Sequence, residues 1–257
     1  MPRFSANLGF LWPELPLLER IKAAGRAGFE AVELHFPYAI PAAEVRHACA
    51  EAGVKLLGIN TAIGIEPPDS GLAALPGREA EARDRIDQSF AYAAEAGGTG
   101  VHVMAGRVSP KVRAEARTTL LGNLRHAAQR AEAAGLIVLL EPINRRDMPD
   151  YFYEGIEDAA AIIAELGSPS VRLMFDCYHV GVAQGDVITR LRTHLPMIGH
   201  IQFAAVPSRA EPDEGELNYP AIFAEIDRLG YAGWVGAEYR PRASTDEGLD
   251  WFRSKAN

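Results

Sequence analysis

Short apolar runs and amphipathic segments alternate along the whole chain. The apolar runs are continuous rather than alternating, which is typical of strands that are buried on both faces of a parallel sheet. Most runs are followed by a segment with helical periodicity, and several of these segments end in a small residue and a glycine, as at Ala27-Gly28 and Ala96-Gly97. Glycine just after the last turn is a common helix C-cap. The pattern therefore predicts a repeated strand–helix unit.

Eight such units can be counted. The apolar runs predict strands at residues 4–8, 31–36, 55–60, 101–104, 137–141, 171–176, 199–203 and 234–238. The amphipathic segments predict helices at residues 16–27, 41–52, 79–96, 110–134, 156–166, 186–195, 219–229 and 245–252. The loop after the third predicted strand contains Pro67, Pro68, Gly71, Pro76 and Gly77, a composition typical of turns. Eight strands and eight crossovers favour a closed (β/α)8 TIM barrel, with a doubly wound open sheet as the alternative.

Length and composition agree with one barrel. The chain has 257 residues, of which 48% are hydrophobic, enough for one sizeable core and close to the usual length of this fold. No flexible linker or change in composition divides the sequence, so we expect a single domain over residues 1–257. The helical exterior is compatible with a homodimer, although no apolar stripe marks an interface.

Net charge and cysteine content exclude several classes of protein for this sequence. A net charge of −8 argues against a protein that binds nucleic acid or anionic membranes by bulk electrostatics. No stretch approaches the ~20 apolar residues that span a bilayer, and the first residues lack an apolar targeting run. Cys49 and Cys177 have no partner motif and are expected to be buried, reduced thiols. We therefore expect a soluble, cytoplasmic protein.

Four predicted strands end in a polar side chain that offers oxygen: Glu141, Asp176, Gln202 and Glu238. In a TIM barrel the carboxyl ends of the strands carry the active site, and strands five to eight are neighbours. A carboxylate at the end of an apolar run is costly to bury unless it is paired or bound to a metal. Structural alternatives exist for each residue: a salt bridge from Glu141 to Arg145 or Arg146, a turn cap by Asp176, a salt bridge from Glu238 to Arg240 or Arg242, and backbone hydrogen bonds by Gln202.

Taken together, the four side chains predict a metal site. Three of them are anionic and all four offer oxygen, a set that suits Mg²⁺ or Mn²⁺. The absence of clustered cysteine or histidine argues against a closed structural zinc site. A few ligands from separate strands would leave coordination positions open for water or substrate.

Six segments of the sequence resemble the hydroxypyruvate isomerase family of xylose-isomerase-like barrels. They are residues 101–106 (VHVMAG), 140–144 (LEPIN), 175–179 (FDCYH), 199–202 (GHIQ), 209–220 (RAEPDEGELNYP) and 230–239 (GYAGWVGAEY). The resemblance covers essentially the whole chain, and segment 209–220 is the most specific. It implies that Glu141 and Glu238 are acid–base residues that also bind metal, with Asp176 and Gln202 as further ligands. Many sugar-epimerase relatives have His at the position of Gln202, so this residue favours the hydroxypyruvate isomerase branch.

Isomerase chemistry independently requires such an arrangement. Moving a carbonyl to the adjacent carbon needs a base that removes a proton, a group that returns one, and stabilisation of the enediolate between these steps. Two glutamates and a divalent cation meet these needs. Further candidate substrate contacts are His179, Arg209, His102, Asn60 and His35. An arginine such as Arg209 suits a substrate carboxylate, whereas His35 and His102 are better explained as packing or supporting groups.

The sequence therefore predicts an isomerase of a small hydroxy-oxo acid, with hydroxypyruvate and tartronate semialdehyde as the lead pair. Isomerisation of 2-oxo-tetronate and C3 epimerisation of a ketose on the same barrel are alternatives. Phosphodiester hydrolysis on abasic DNA is disfavoured by the negative net charge and by seven scattered histidines. A non-catalytic sugar-acid binding protein is the remaining alternative. We also expect the charged loop 206–218 to cover the pocket and to become ordered on substrate binding.

Overall fold

The computed structural model describes residues 1–63 and 70–253. Eight parallel strands pair in chain order, and β8 pairs with β1 to close the sheet. The strands are β1 (Arg3–Asn7), β2 (Ala31–Glu33), β3 (Lys55–Asn60), β4 (Gly100–His102), β5 (Ile137–Leu140), β6 (Val171–Asp176), β7 (Ile198–Phe203) and β8 (Trp234–Ala237). The predicted (β/α)8 barrel is confirmed, and the open-sheet alternative is wrong because the two edge strands pair with each other.

Helices surround the barrel. They are α1 (Leu17–Ala27), α2 (Ala42–Ala52), α3 (Glu79–Ala96), α4 (Arg113–Ala134), α5 (Ile156–Leu166), α6 (Cys177–Ala183), α7 (Val187–His194), α8 (Tyr219–Arg228) and α9 (Asp250–Arg253). Gly28 and Gly97 adopt left-handed backbone conformations, with φ of 98° and 79°, directly after α1 and α3. These glycines end the helices as the sequence predicts, because a side chain would strain this conformation.

Several boundaries differ from the sequence prediction for local reasons. Predicted helix 110–134 begins with a 3₁₀ turn, Pro110–Val112, and predicted helix 245–252 is replaced by a 3₁₀ turn and the short α9. Helix α6 was not predicted. It starts because the Asp176 carboxylate accepts a hydrogen bond from the backbone N–H of Tyr178 at 2.8 Å, which caps its first turn. Pro67 and Pro68 of the predicted turn-rich loop lie outside the described residues.

The carboxyl end of β7 is anchored by an aromatic cluster. The Phe203 ring is fully buried and packs edge-on against Phe223 of α8 and Trp251 of α9, with centroids 5.1 and 5.2 Å apart. Phe4 of β1 joins the cluster from the neighbouring side of the barrel, 5.8 Å from Phe203. This packing fixes the strand that carries Gln202.

Two further expectations concern the thiols and membrane spans. Cys49 and Cys177 are both buried and free, as the sequence predicts. No helix within the described ranges combines the length and apolar content that crossing a membrane requires.

The aromatic cluster predicts a large stability cost for Phe203→Ala. Removing a fully buried phenylalanine leaves a cavity and should lower the free energy of unfolding by about 3–5 kcal/mol. The matched control is Phe36→Ala, because Phe36 is 43% exposed and its loss should change stability by only about 0.5 kcal/mol. Denaturant-induced unfolding measures both, and equal losses would contradict the role given to the cluster.

Candidate active site

Every strand of the barrel delivers a polar side chain at or just after its carboxyl end. These residues are Asn7, His35, Asn60, His102, Glu141, Asp176, Gln202 and Glu238. Together they form a ring of strand-end residues around the barrel mouth, within which hydrogen bonds and ion contacts join Asn7 and His35 to Glu238, and His102 to Asn60 and Glu141. All nine predicted site residues lie at this mouth, since His179 follows β6 on α6 and Arg209 lies on the loop after β7.

Glu141, Asp176 and His179 form one buried group that could hold a metal ion. His179 Nε2 lies 3.7 Å from Glu141 Oε1 and 3.6 Å from Asp176 Oδ2. One potential ligand atom from each residue lies within 4.8 Å of the others, and all three side chains are buried. Asp176 Oδ1 caps the first turn of α6, which is the structural role considered for this residue in the sequence analysis. The other oxygen, Oδ2, belongs to the group with Glu141 and His179.

The hydrogen bonds of His179 assign its proton. The backbone N–H of Asp147 donates to Asn144 Oδ1 at 2.9 Å, which turns the amide nitrogen of Asn144 toward His179 Nδ1 at 2.7 Å. His179 Nδ1 is therefore an acceptor. Burial and the charge of Arg209 lower the pKa of His179 to about 3, so the ring is neutral and carries its proton on Nε2. His179 thus presents an N–H donor to the cluster, which suits a substrate oxygen better than a cation.

Gln202 is the register partner of Asp176 on the neighbouring strand. The side-chain amide of Gln202 is oriented by Glu33. Its Nε2 donates to Glu33 Oε2 at 2.8 Å, and its Oε1 is buried with no hydrogen-bond partner among the described residues. Glu33, on β2, is itself buried and accepts a hydrogen bond from Ser5 at 2.6 Å. His200 Nε2 lies 3.0 Å from the same carboxylate oxygen, Oε1.

Glu238 is held by donors on both of its oxygens. Asn7 Nδ2 and His35 Nε2 lie 3.2 and 3.0 Å from Oε1, and Arg209 Nη2 lies 3.1 Å from Oε2. The alternative salt bridge from Glu238 to Arg242 is not formed, because Arg242 contacts three acids of loop 206–218 instead. Glu238 is therefore positioned by site residues.

Arg209, on the loop after β7, lies over the site and lines its cavity. Its guanidinium lies between the rings of Phe10 and Tyr178, 4.9 Å from each centroid, and its Nη1 contacts Asp147 Oδ2 at 3.1 Å. Because Nη2 contacts Glu238, each of the two terminal guanidinium nitrogens is paired with a carboxylate. Two rings and two carboxylates hold this positive charge over the cluster.

His102 supports Glu141 from β4. Its Nδ1 lies 3.3 Å from both Asn60 Oδ1 and Glu141 Oε2, two acceptors, so this nitrogen carries the ring proton. Burial lowers the pKa of His102 to about 4, and the ring is neutral. The alternative salt bridges from Glu141 to Arg145 or Arg146 are not formed, because these arginines pair with Glu154 and Asp147.

The carboxylates of the site differ in their proton affinity. Burial, together with the charges of Glu238 and Asp176, raises the pKa of Glu141 well above its usual value. Burial and the charge of Glu238 raise the pKa of Asp176 to about 7. Burial would also raise the pKa of Glu238, but the hydrogen bond from His35 and the charge of Arg209 outweigh it and lower the pKa to about 2.

The donor set fits a divalent cation. Glu141 Oε1, Asp176 Oδ2 and Gln202 Oε1 are all buried without a hydrogen-bond partner within the described part of the chain. Uncompensated buried oxygens are costly, and a cation bound between them would remove that cost. Oxygen ligands are those that Mg²⁺ and related hard cations prefer.

Above the ring lies a cavity of about 460 Å³, within the range of small-molecule sites. Its walls include Phe10, Phe36 and Met104, and Arg146, Arg209 and Arg240 also line it. Three residues of loop 206–218 reach the cavity: Pro207, Ser208 and Arg209. The loop therefore covers part of the pocket, and its ordering by substrate stays a prediction.

Four residues of the site were missed from the sequence: Asn7, Glu33, Asn144 and His200. Glu33 carried the same signal as Glu141, an acid within an apolar run, but it stands inside a predicted strand rather than at its end. Asn7 ends β1 but lies inside the predicted strand 4–8, and His200 lies within β7. Nothing in a single sequence shows which face of a strand lines the barrel interior.

Curated relatives match nearly the entire chain. A 2-oxo-tetronate isomerase of Cupriavidus necator is 48% identical over 255 residues, which cover 98% of each chain. A putative hydroxypyruvate isomerase of Homo sapiens is 45% identical over 261 residues, covering 98% of this chain and 94% of the human one. The resemblance to the hydroxypyruvate isomerase family is confirmed.

Comparison with solved structures gives the same fold. A crystal structure titled as an AP endonuclease of family 2 from Brucella melitensis has a TM-score of 0.96 and 38% identity, and 99% of each chain is covered. The sequence profile of the xylose isomerase-like TIM barrel family matches residues 21–255. This chain belongs to the xylose isomerase-like TIM barrel family.

Proposed function

We propose that the protein is a divalent-metal-assisted isomerase that moves the carbonyl of a small 2-oxo-3-hydroxy acid from C2 to C3 through an enediolate. Hydroxypyruvate is the lead substrate, and tartronate semialdehyde (2-hydroxy-3-oxopropanoate) is its product. One observation carries the proposal. Two buried glutamates with opposite pKa shifts, Glu141 and Glu238, line a cavity of small-molecule size, and Glu141 also contributes to a group of buried oxygens without a hydrogen-bond partner in the described chain.

Curated relatives support the reaction class, because both kinds of name, hydroxypyruvate isomerase and 2-oxo-tetronate isomerase, denote isomerases. The two substrates share one reaction. Hydroxypyruvate has a ketone at C2 and a hydroxyl at C3, and 2-oxo-tetronate adds a hydroxymethyl group to C3. The 48% identity to the C. necator relative favours 2-oxo-tetronate as the second candidate substrate.

Proton transfer is assigned to the two glutamates. Glu238 stays ionised across the physiological range, so it takes the proton from C3 of the substrate. Glu141 in its protonated form serves C2 and returns a proton there to the enediolate. The proton of the C3 hydroxyl passes to the oxygen on C2, so two protons are removed and two are added, and exchange with water restores both glutamates. A bound divalent cation would polarise the substrate carbonyl, with Glu141, Asp176, Gln202 and Glu238 as the proposed ligands.

Neutral donors and fixed positive charge would orient an acidic substrate. His179 offers the Nε2 proton to a substrate oxygen, and Asn60 and His102 line the same wall of the cavity. The proposed anchor for the substrate carboxylate is the arginine cluster of Arg146, Arg209 and Arg240. Arg209 acts here mainly through its charge, since its fork already contacts Asp147 and Glu238.

Deuterium exchange tests the proposal directly. The Mg²⁺-loaded protein is incubated in D₂O with hydroxypyruvate, with 2-oxo-tetronate and with a neutral ketose, and NMR follows both label and carbonyl position. We expect label together with a carbonyl shift from C2 to C3 in one of the acids. Exchange at C3 of the ketose without a carbonyl shift would indicate an epimerase. Binding without any exchange would indicate a non-catalytic protein.

We predict that Glu141→Gln and Glu238→Gln each lower turnover by ~10²–10⁴-fold, the usual effect of losing an acid–base group. Glutamine keeps an oxygen and nearly the same volume, so Mn²⁺ binding measured by calorimetry should weaken only moderately. A matched control is Glu154→Gln, because Glu154 pairs with Arg145 outside the ring. Near-normal turnover of both site variants at saturating metal would refute the mechanism.

Asp176→Asn should behave differently, because its proposed role is ligation alone. Asparagine can still cap α6 through its side-chain oxygen but loses the negative charge that attracts the cation. We expect lower turnover that excess Mg²⁺ or Mn²⁺ partly restores in steady-state assays. A loss that no metal concentration reverses would place Asp176 in the proton-transfer chemistry instead.

Metal affinity should depend on pH because the cation competes with protons. The pKa of Asp176 is about 7 in the metal-free protein, so this carboxyl is ionised above pH 7 and protonated below it. Apparent Mn²⁺ affinity should therefore fall about tenfold per pH unit below 7 for each proton displaced. Calorimetry in buffers of different ionisation enthalpy should detect at least one proton released at pH 6. The same affinity at pH 6 and pH 8, with no proton release, would contradict this assignment.

A further inference from the structure

Beneath the ring of strand-end residues, a buried carboxylate spans the barrel interior. Glu33 belongs to β2, yet its side chain contacts Ser5 on β1 and both His200 and Gln202 on β7. It is 4% exposed. Nothing in the proton-transfer mechanism uses this group, and burying a carboxylate so deeply requires an explanation.

Each oxygen of Glu33 has two donors or potential donors. Ser5 Oγ and His200 Nε2 lie 2.6 and 3.0 Å from Oε1. Gln202 Nε2 and Asn7 Nδ2 lie 2.8 and 3.4 Å from Oε2. Because donors lie on both of its oxygens, Glu33 accepts from the amide nitrogens of Asn7 and Gln202.

The sequence leaves room for this carboxylate at one position of β8. A Cβ atom at Gly236 would lie 2.2 Å from Glu33 Oε1, so any larger residue there would displace the carboxylate. Gly236 is the register partner of both Ser5 on β1 and Gln202 on β7. Gly236 is therefore needed at this position for the Glu33 carboxylate to lie where it does.

The side-chain amide of Gln202 has a donor nitrogen and an acceptor oxygen, and Glu33 can bind only the nitrogen. A carboxylate can only accept, so it holds the Gln202 nitrogen and directs Oε1 to the opposite side, where that oxygen is buried and unpartnered among the described residues. Asn7 is oriented in a related way, because its Oδ1 accepts from the N–H of Gly9 at 3.0 Å. Its nitrogen then lies between Glu33 and Glu238.

We propose that Glu33 is a positioning residue that fixes the orientation of the Gln202 amide, so that its oxygen rather than its nitrogen faces the cation. The proposal rests on the metal site described under the proposed function. Carboxylates that accept the second N–H of a metal-binding histidine act in the same way, and their loss typically weakens metal binding by about 10–100-fold. Here an amide takes the place of the imidazole.

The test is a double-mutant cycle read as Mn²⁺ affinity by calorimetry, with no need for substrate. Glu33→Leu removes both acceptor oxygens while keeping an apolar side chain of similar size in the barrel. We expect it to weaken Mn²⁺ binding by about 10–100-fold in the wild-type background. In a Gln202→Leu background, which lacks the amide, the same substitution should change affinity by less than about twofold, because Glu33 acts through Gln202.

Conservative variants distinguish positioning from general damage. Glu33→Gln retains one acceptor oxygen for the Gln202 nitrogen and should recover most of the affinity lost in Glu33→Leu. Ser5→Ala, which removes a partner of the other oxygen, is the matched control and should leave affinity within a few-fold of wild type. If Glu33→Leu does not fold, Gly236→Ala takes its place in the cycle, since its methyl group would displace the carboxylate.

The outcomes separate the two proposals. An equal loss of Mn²⁺ affinity in both backgrounds, or no loss in either, would overturn the positioning role and leave the metal site intact. Failure of the wild-type protein to bind Mn²⁺ would overturn both.

Discussion

The structure of the site depends on the burial of two carboxylates that nothing in the described chain fully compensates. Glu141 and Asp176 each keep one oxygen without a hydrogen-bond donor in the described chain, and burial together with the charge of Glu238 raises the pKa of both. A fold that places like charges together in its interior loses stability unless something else relieves them. A bound cation, as in the proposed function, would relieve this cost.

Glu238 shows how the same environment can produce the opposite shift. It lies in the same ring, but His35, Asn7 and Arg209 surround it with donors. Arg209 in turn contacts two aromatic rings and Asp147, and these contacts fix the position of its positive charge. The site thus separates two chemically identical groups into one that stays ionised and one that tends to hold a proton, which is the separation that transferring a proton between adjacent carbons requires.

The sequence predicted the fold and the ends of most strands to within one residue, because continuous apolar runs and glycine caps report directly on burial and backbone conformation. The exceptions are β2 and β4, which end before their predicted ends. The sequence made Glu141, Asp176, Gln202 and Glu238 candidates because a polar group at the end of an apolar run stands out, and their roles stay predictions. It failed where a polar group lies inside a run, as with Glu33, since facing the barrel interior is a property of the closed sheet. Helix α6 was missed because seven residues hold too little periodicity, and its start depends on a side-chain cap.

Under the proposed function, the choice of substrate depends on how little the two candidate acids differ. Hydroxypyruvate and 2-oxo-tetronate would present the same carboxylate, ketone and C3 hydroxyl to the site, so the two proposed acid–base glutamates would not tell them apart. An added hydroxymethyl group changes binding by only about 1–3 kcal/mol when a site merely makes room for it, whereas a site that hydrogen-bonds the new hydroxyl discriminates far more strongly. The cavity above the ring is large enough for either acid. A preference between them would then depend on the other polar groups that line the cavity, among them Arg146, Ser208 and Arg240, rather than on the proposed glutamates.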